Sequence, residues 1–260
     1  MLASRFVRVL FLGTGTSHGV PMIGCDCDVC RSTDPRDNRL RPSIYITLDD
    51  DVRVLVDTTP DLRTQALRYD VRKVDAVLIT HAHADHIMGL DEVRRYNHLT
   101  GHAVPIYANE ETLGHVRRLF SYAFEPGAPK GGVPNLDLRT IDGPFMLGGQ
   151  QVVPVPVQHG RWTVLGYRFG GFAYLTDCNH VPDTSVRLLA DLDVLVIDAL
   201  RRKPHPTHFT LAQAIEMARR IGAHQTYFTH IAHELGHAET SATLPPGMAM
   251  AYDGLTLDVP

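Results

Sequence analysis

The chain has 260 residues, 44% of them hydrophobic, which is enough to bury a large core. Its formal net charge of -4 excludes a protein that coats nucleic acid by bulk charge, so nucleic acid is disfavoured and any polyanion must meet a local patch. No stretch reaches the ~18 apolar residues needed to span a bilayer, so no membrane partner is expected.

The first apolar run, Val7 to Leu12, is interrupted by Arg8 and lacks a small-residue cleavage site, so it reads as a strand rather than a leader. A cysteine cluster follows at Cys25, Cys27 and Cys30, with the fourth cysteine, Cys178, far away. Cysteines this close make poor disulfide partners and good metal ligands, which places the protein in the cytoplasm. Strands are expected at Ser43 to Leu48, Val52 to Asp57 and Ala76 to Thr80, with a helix from Asp61 to Tyr69. A second helix covers Glu110 to Phe120. The Gly- and Pro-rich stretch from Glu125 to Gly143 has no period and reads as a loop and a candidate lid. Strands return at Val152 to Val157, Thr163 to Phe169, Phe172 to Thr176, Val194 to Asp198 and Gln225 to Thr229. Helices are expected at Asp183 to Ala190 and at Thr210 to Ile221, where Thr210 can cap a stripe of Leu211, Ala214, Ile215 and Ala218. Strand-rich halves with helices interspersed suggest packed sheets covered by helices, not a doubly wound parallel sheet. No linker separates domains, so residues 1–260 are read as one α/β (α+β) domain.

The chemistry concentrates where strands end. His81-Ala82-His83-Ala84-Asp85-His86 begins where the buried-type strand ending at Thr80 stops, and imidazole mixed with carboxylate is the ligand set that Zn, Mn and Fe accept in hydrolytic sites. Six residues cannot close two coordination shells. Three further donors also follow apolar strands: His159, Asp177 and His230. Each strand thus delivers one donor to the same sheet edge. Two divalent ions ~3.5–4 Å apart can share a hydroxide nucleophile and stabilise charge on the attacked group.

The HxHxDH segment with a later His, Asp and His resembles the metallo-β-lactamase superfamily. The resemblance implies an αβ/βα four-layer sandwich with the site in the cleft between two sheets. It assigns one metal to His81, His83 and His159 and the other to Asp85, His86 and His230, with Asp177 as the bridge and Asp85 and Asp177 as catalytic residues. The native ions stay open among Mn, Zn and Fe. Di-iron redox members resemble the chain less well, because they replace a histidine of the first motif with a carboxylate and carry a flavodoxin-like domain. A binding-only scaffold would have lost ligands, and here every position is filled.

Cys25, Cys27 and Cys30 supply three thiolates, and a tetrahedral structural zinc needs a fourth donor. His233, three residues after His230, suits better than Cys178, whose bland reading is a small buried hydrophobe. The Cys-x-Cys-x2-Cys segment after a Leu-Gly-Thr-Gly-Thr turn, together with Thr229-His230-Ile231-Ala232-His233, resembles the PhnP-like group of phosphoribosyl cyclic phosphodiesterases. In that group a cysteine triplet and a histidine at the position of His233 hold a structural zinc.

The loop Asp198 to Thr210 carries Arg201, Arg202, Lys203, His205 and His208 and is the most phosphate-friendly stretch. His208-x-Thr210 resembles the motif by which phosphodiesterase members place an imidazole near the scissile phosphate, which makes His208 a catalytic candidate. The expected reaction is hydrolysis of a small or cyclic phosphodiester, with a small phosphorylated substrate as partner. A ribonuclease Z-like nuclease, or a thioester or lactone hydrolase using the same metals, is the alternative, although no tRNA-binding arm is visible. A homodimer is compatible with the group.

Overall fold

The computed structural model describes residues 6–125, 127 and 132–260. Six strands, β1 (Val7–Gly13), β2 (Ser43–Thr47), β3 (Arg53–Val56), β4 (Ala76–Leu78), β5 (Val104–Ala108) and β6 (Leu136–Thr140), lie in order across one sheet. Seven more, β7 (Phe145–Leu147), β8 (Gln150–His159), β9 (Trp162–Phe169), β10 (Phe172–Leu175), β11 (Val194–Asp198), β12 (Gln225–Thr229) and β13 (Met248–Met250), build the other. The last strand, β14 (Thr256–Val259), returns to the first sheet and closes its edge against β1. Both sheets are mixed: β3 through β6 run parallel, as do β10 through β13, while the remaining pairs are antiparallel. The helices are α1 (Leu62–Arg68), α2 (Ala84–Ile87), α3 (Arg94–Thr100), α4 (Glu110–Leu119), α5 (Asp183–Leu188), α6 (Leu211–Ile221) and α7 (His237–Ser241).

The period-2 alternation of side chains sorts the apolar residues into three cores. On β1, Val9 and Phe11 meet Tyr167, Phe169 and Tyr174 of the opposite sheet, so this cluster fills the space between the sheets. Leu12 on the other face of β1 joins Val77 and Ile79 under Leu62, Leu113 and Val116 of the first helical layer. On the far side Leu195 and Ile197 pack against Leu211, Ala214 and Ala218 of α6. The order helix, sheet, sheet, helix is the expected four-layer α/β sandwich. Helix α6 starts with a capping box in which Thr210 and Gln213 exchange hydrogen bonds, and Gly222 ends it in the left-handed region.

Several strands differ from the sequence reading: β5, β7, β13 and β14 were not expected at all. Leu136–Thr140, taken as part of a loop, is strand β6 and pairs in parallel with β5. The lid expected between Glu125 and Gly143 includes residues 126 and 128–131, which lie outside the described residues. Among the described residues, no helix is long and apolar enough to cross a membrane.

The parallel strands of each sheet send their carboxyl ends to a common edge, where open α/β sheets bind ligands. β8, antiparallel to β9 and so aligned with β10, ends there too, at His159.

Candidate active site

After β4 the chain turns directly into α2, with His83 as its N-terminal flanking residue. The segment from His81 through the single turn of α2, which carries Asp85 and His86, sets the four donors of the first motif against donors from the second sheet. His81, His83, His159 and Asp177 form one group whose ligand atoms all lie within 4.8 Å of one another, and Asp85, His86, Asp177 and His230 form a second. Asp177 belongs to both. Its Oδ1 is 3.2 Å from His86 Nε2, and its Oδ2 is 3.3 Å from His230 Nε2 and 3.9 Å from His81 Nε2. Asp177 and His230 adopt φ of 53° and 58°, a left-handed conformation that non-glycine residues hold only when the surroundings enforce it. The sharp turn aims each side chain into the cleft as its strand ends.

Two observations test whether metal ions fit. His86 Nε2 and His230 Nε2 are buried without any hydrogen-bond partner, a condition that costs about 1–3 kcal/mol per group. A cation bound between these nitrogens and the two carboxylates would remove that cost. Protonation divides the donors. Burial opposes charge on His86 and His230, but Asp177 and Asp85 outweigh it and raise His86 well above its usual value and His230 to about 9. Without an ion these two rings hold protons that a bound cation would displace. Burial, reinforced by His86, pushes His81 well below its usual value, and burial pushes His159 down to about 4. Both rings are therefore neutral at pH 7, the form that ligates metal. Burial also opposes charge on Asp177, but His230 and His86 outweigh it and hold the carboxyl well below its ordinary range.

Two residues that the sequence reading passed over orient these donors. Asp57, wholly buried after β3, accepts from His86 Nδ1 at 2.7 Å, from Thr80 Oγ1 at 2.9 Å and from the Thr80 amide at 2.8 Å. Thr80 Oγ1 in turn lies 3.0 Å from His81 Nδ1, so one carboxylate fixes two imidazoles with their Nε2 atoms facing the cleft. Asp198 Oδ2, at the end of β11, accepts from His208 Nδ1 at 2.8 Å and from the Cys178 amide at 2.9 Å. His208 Nε2 is thereby presented 4.0 Å from Asp177 Oδ2. The Thr207 carbonyl, 2.9 Å from His159 Nδ1, does the same for His159. The signal that would have found Asp57 and Asp198 was present: each is an acidic residue at the end of an apolar strand, as Asp177 is.

The fold brings Cys25, Cys27 and Cys30 together with His233. His233 Nδ1 lies 3.2, 3.3 and 3.7 Å from the Sγ atoms of Cys25, Cys27 and Cys30. Tetrahedral zinc with the usual Zn–S and Zn–N lengths spaces S and N by about 3.5 Å, so the four donors already have the dimensions of such a site. The Cys30 amide brings the Cys27 thiol down to about 6, whereas burial drives Cys30 up to about 11. Cys178 is fully buried among the apolar residues under α6, where it packs as a small hydrophobe.

Two hollows flank the cluster. One, of about 270 Å³, is lined by Thr16, His18, Arg201, His205, His208 and Glu234 among others. It brings the turn after β1 and the basic loop to one place. The other, of about 160 Å³, opens beside His81 and His83. Arg202 and Lys203 do not line the first hollow, and Arg202 lies 4.0 Å from Glu239 instead.

A family model described as a beta-lactamase superfamily domain matches residues 52–231, and the chain belongs to the metallo-β-lactamase superfamily of metal-dependent hydrolases. Within it the chain is PhnP-like: it is 47% identical to a protein whose crystal structure is described as a new diphosphatase from the PhnP family, with 98% of each chain covered and a TM-score of 0.92. The coenzyme PQQ synthesis protein B of Methylorubrum extorquens strain AM1 is 31% identical over 313 residues, covering 97% of this chain and all of that protein. An octanoyltransferase of Porphyromonas gingivalis is 39% identical over 254 residues, covering 96% of this chain. The chain spans 51% of that protein's length.

Proposed function

We propose that the chain is a dinuclear phosphodiesterase that cleaves a small or cyclic phosphodiester. His81, His83 and His159 would hold one divalent ion, Asp85, His86 and His230 the other, and Asp177 both. When bound, the two ions supply an activated water and neutralise charge on the attacked phosphoryl group. The observation that carries the reading is His208. It stands outside the two donor groups that share Asp177 and clusters instead with Asp198 and His230. Asp198 takes up its Nδ1, which leaves Nε2 facing Asp177 at 4.0 Å, where a substrate oxygen would sit. An imidazole so held can steady a developing oxyanion or protonate a leaving oxygen, effects that typically contribute 10²–10⁴-fold. The hollow beside it adds Arg201 and His205, which suit an anionic substrate. The similarity to a PhnP-family diphosphatase supports phosphoryl chemistry.

A second reading, hydrolysis of an acyl thioester or lactone at the same centre, draws on the similarity to the Porphyromonas octanoyltransferase. A screen of metal-loaded protein separates the two. Bis(p-nitrophenyl) phosphate, 2′,3′-cyclic nucleotides, a cyclic ribose phosphate, a lactone and an acyl thioester are assayed side by side. Turnover of the phosphodiesters is expected, and activity on the lactone or thioester alone would overturn the phosphodiesterase assignment.

A further inference from the structure

Trp162 is the sole tryptophan of the chain, and it stands 42% exposed beside the catalytic cluster. Its place is set by the turn from β8 to β9, where His159 pairs with Trp162 across Gly160 and Arg161. Gly160 has φ of 62°, and a Cβ there would come within 2.8 Å of Thr207 Cγ2. The tight turn is thus packed against the loop that carries His208. The indole ring meets His83 edge-on at 5.2 Å between centroids and lies 6.2 Å from His159 at 31°. The Arg161 guanidinium sits 5.2 Å from the ring centroid. A rigid aromatic side chain left half in solvent against two donor histidines is a surface for stacking, not a core residue.

Trp162 forms one wall of the 160 Å³ hollow, and the start of α4 forms another with Asn109, Glu111 and His115. That volume is well below the several hundred Å³ that enclose an entire small ligand, so the hollow takes one ring system of a larger substrate. The aromatic wall suits a π-face. Opposite it Asn109 Oδ1 is taken by the Thr112 amide and His115 Nδ1 by Arg118, which leaves the Asn109 side-chain amide nitrogen as donor and the Glu111 carboxylate as acceptor for the edge of a heterocycle. The basic hollow lies on the other flank of the cluster, next to His208. A diester spanning the centre would therefore place a ring on the Trp162 side and a charged portion on the Arg201 side.

We propose that the hollow between Trp162 and the start of α4 is a nucleobase subsite, and hence that the diester cleaved is a nucleoside-bearing one. This rests on the phosphodiesterase reading above. The metal-loaded wild type, Trp162→Ala and Trp162→Phe are compared on 2′,3′-cyclic AMP and on a cyclic ribose phosphate without a base. Base–aromatic stacking sets the expected scale: in Trp162→Ala the ratio of KM values shifts about 10-fold or more against the nucleotide, and Phe recovers most of the loss. Because the tryptophan is unique, its fluorescence gives a readout independent of turnover. AMP should quench it in the wild type, and ribose 5-phosphate should not. An unchanged KM ratio in Trp162→Ala, or equal fluorescence responses to AMP and ribose 5-phosphate, overturns the subsite even where the phosphodiesterase assignment stands. Failure to hydrolyse either diester sinks that assignment, while the fluorescence comparison still decides whether a base binds at Trp162.

Discussion

Replacing Arg39 with methionine should destabilise the protein by several kcal/mol although no donor of either metal group is touched. Arg39 is 1% exposed, and its guanidinium is spent on four partners. It donates to Asp37 Oδ1 and the Leu235 carbonyl, each at 2.8 Å, and to the Ala232 and Arg36 carbonyls, each at 3.2 Å. Asp37 Oδ1 also accepts from the His237 amide at 2.7 Å. The loop that carries His230 and His233 is therefore tied down by one buried cation and its carboxylate. Methionine fills a similar volume but strands Asp37 and the buried carbonyls of Ala232 and Leu235, and breaking a buried pair by removing one partner costs about 3–5 kcal/mol. Folded domains have only about 5–15 kcal/mol to lose. Guanidinium denaturation of the metal-loaded protein measures the loss, and zinc occupancy of the cysteine site measures its local consequence. Lysine keeps the charge without the planar fork and should fall between wild type and methionine. Adding Asp37→Asn to the methionine variant should return part of the stability, because the stranded charge is removed. A loss below about 1 kcal/mol in Arg39→Met, with zinc retained, would refute the clamp.

Three further outcomes follow from named contacts. Burial raises Asp253 to about 7 from its usual 3.8, against the hydrogen bonds it accepts from the Leu40 amide and Thr14 Oγ1. A raised acid favours the folded state while protonated, so its contribution declines as pH rises from about 4 through about 7 and then levels off; thermal melts should show that component disappear in Asp253→Asn, and an identical pH profile would contradict it. Asp57→Ala removes the carboxylate that orients His81 and His86, so active-site metal affinity should fall about 10- to 100-fold by competition with a chelator. Unaltered affinity would mean the imidazoles are held by packing alone. Cys30→Ala should cost one bound zinc per chain by elemental analysis and lower the melting temperature; full zinc content would show that the Cys–His cluster is not a metal site.

What could be read from the letters was what repeats locally. The apolar runs of β4, β10 and β12 have neighbours on both sides in their sheets, and the donors that follow them, His81, Asp177 and His230, announced the cleft. β5 was missed because Pro105 interrupts its pattern. β6 and β14 are edge strands whose charged residues, such as Arg139 and Asp258, mask the alternation. Their pairing is a property of the neighbouring strand, which local sequence does not encode. Arg39 could not be recognised as a clamp for the same reason, since its partners Ala232 and Leu235 lie nearly two hundred positions away. Asp57 and Asp198 are a different matter: the strand-end rule that singled out Asp177 applied equally to them.

The assignment of roles around the cleft is tested most directly by measuring metal content and phosphodiester turnover together in Asp85→Ala and His208→Ala. Asp85→Ala should lose active-site metal and activity while keeping the zinc of Cys25, Cys27, Cys30 and His233. His208→Ala should keep all its metal and lose kcat by about 10²–10⁴-fold, because the imidazole, held at Nδ1 by Asp198 with its Nε2 4.0 Å from Asp177, lies outside the two donor groups that share Asp177. It forms a third cluster, with Asp198 and His230. Full phosphodiester turnover in His208→Ala, or undiminished active-site metal in Asp85→Ala, would contradict the account.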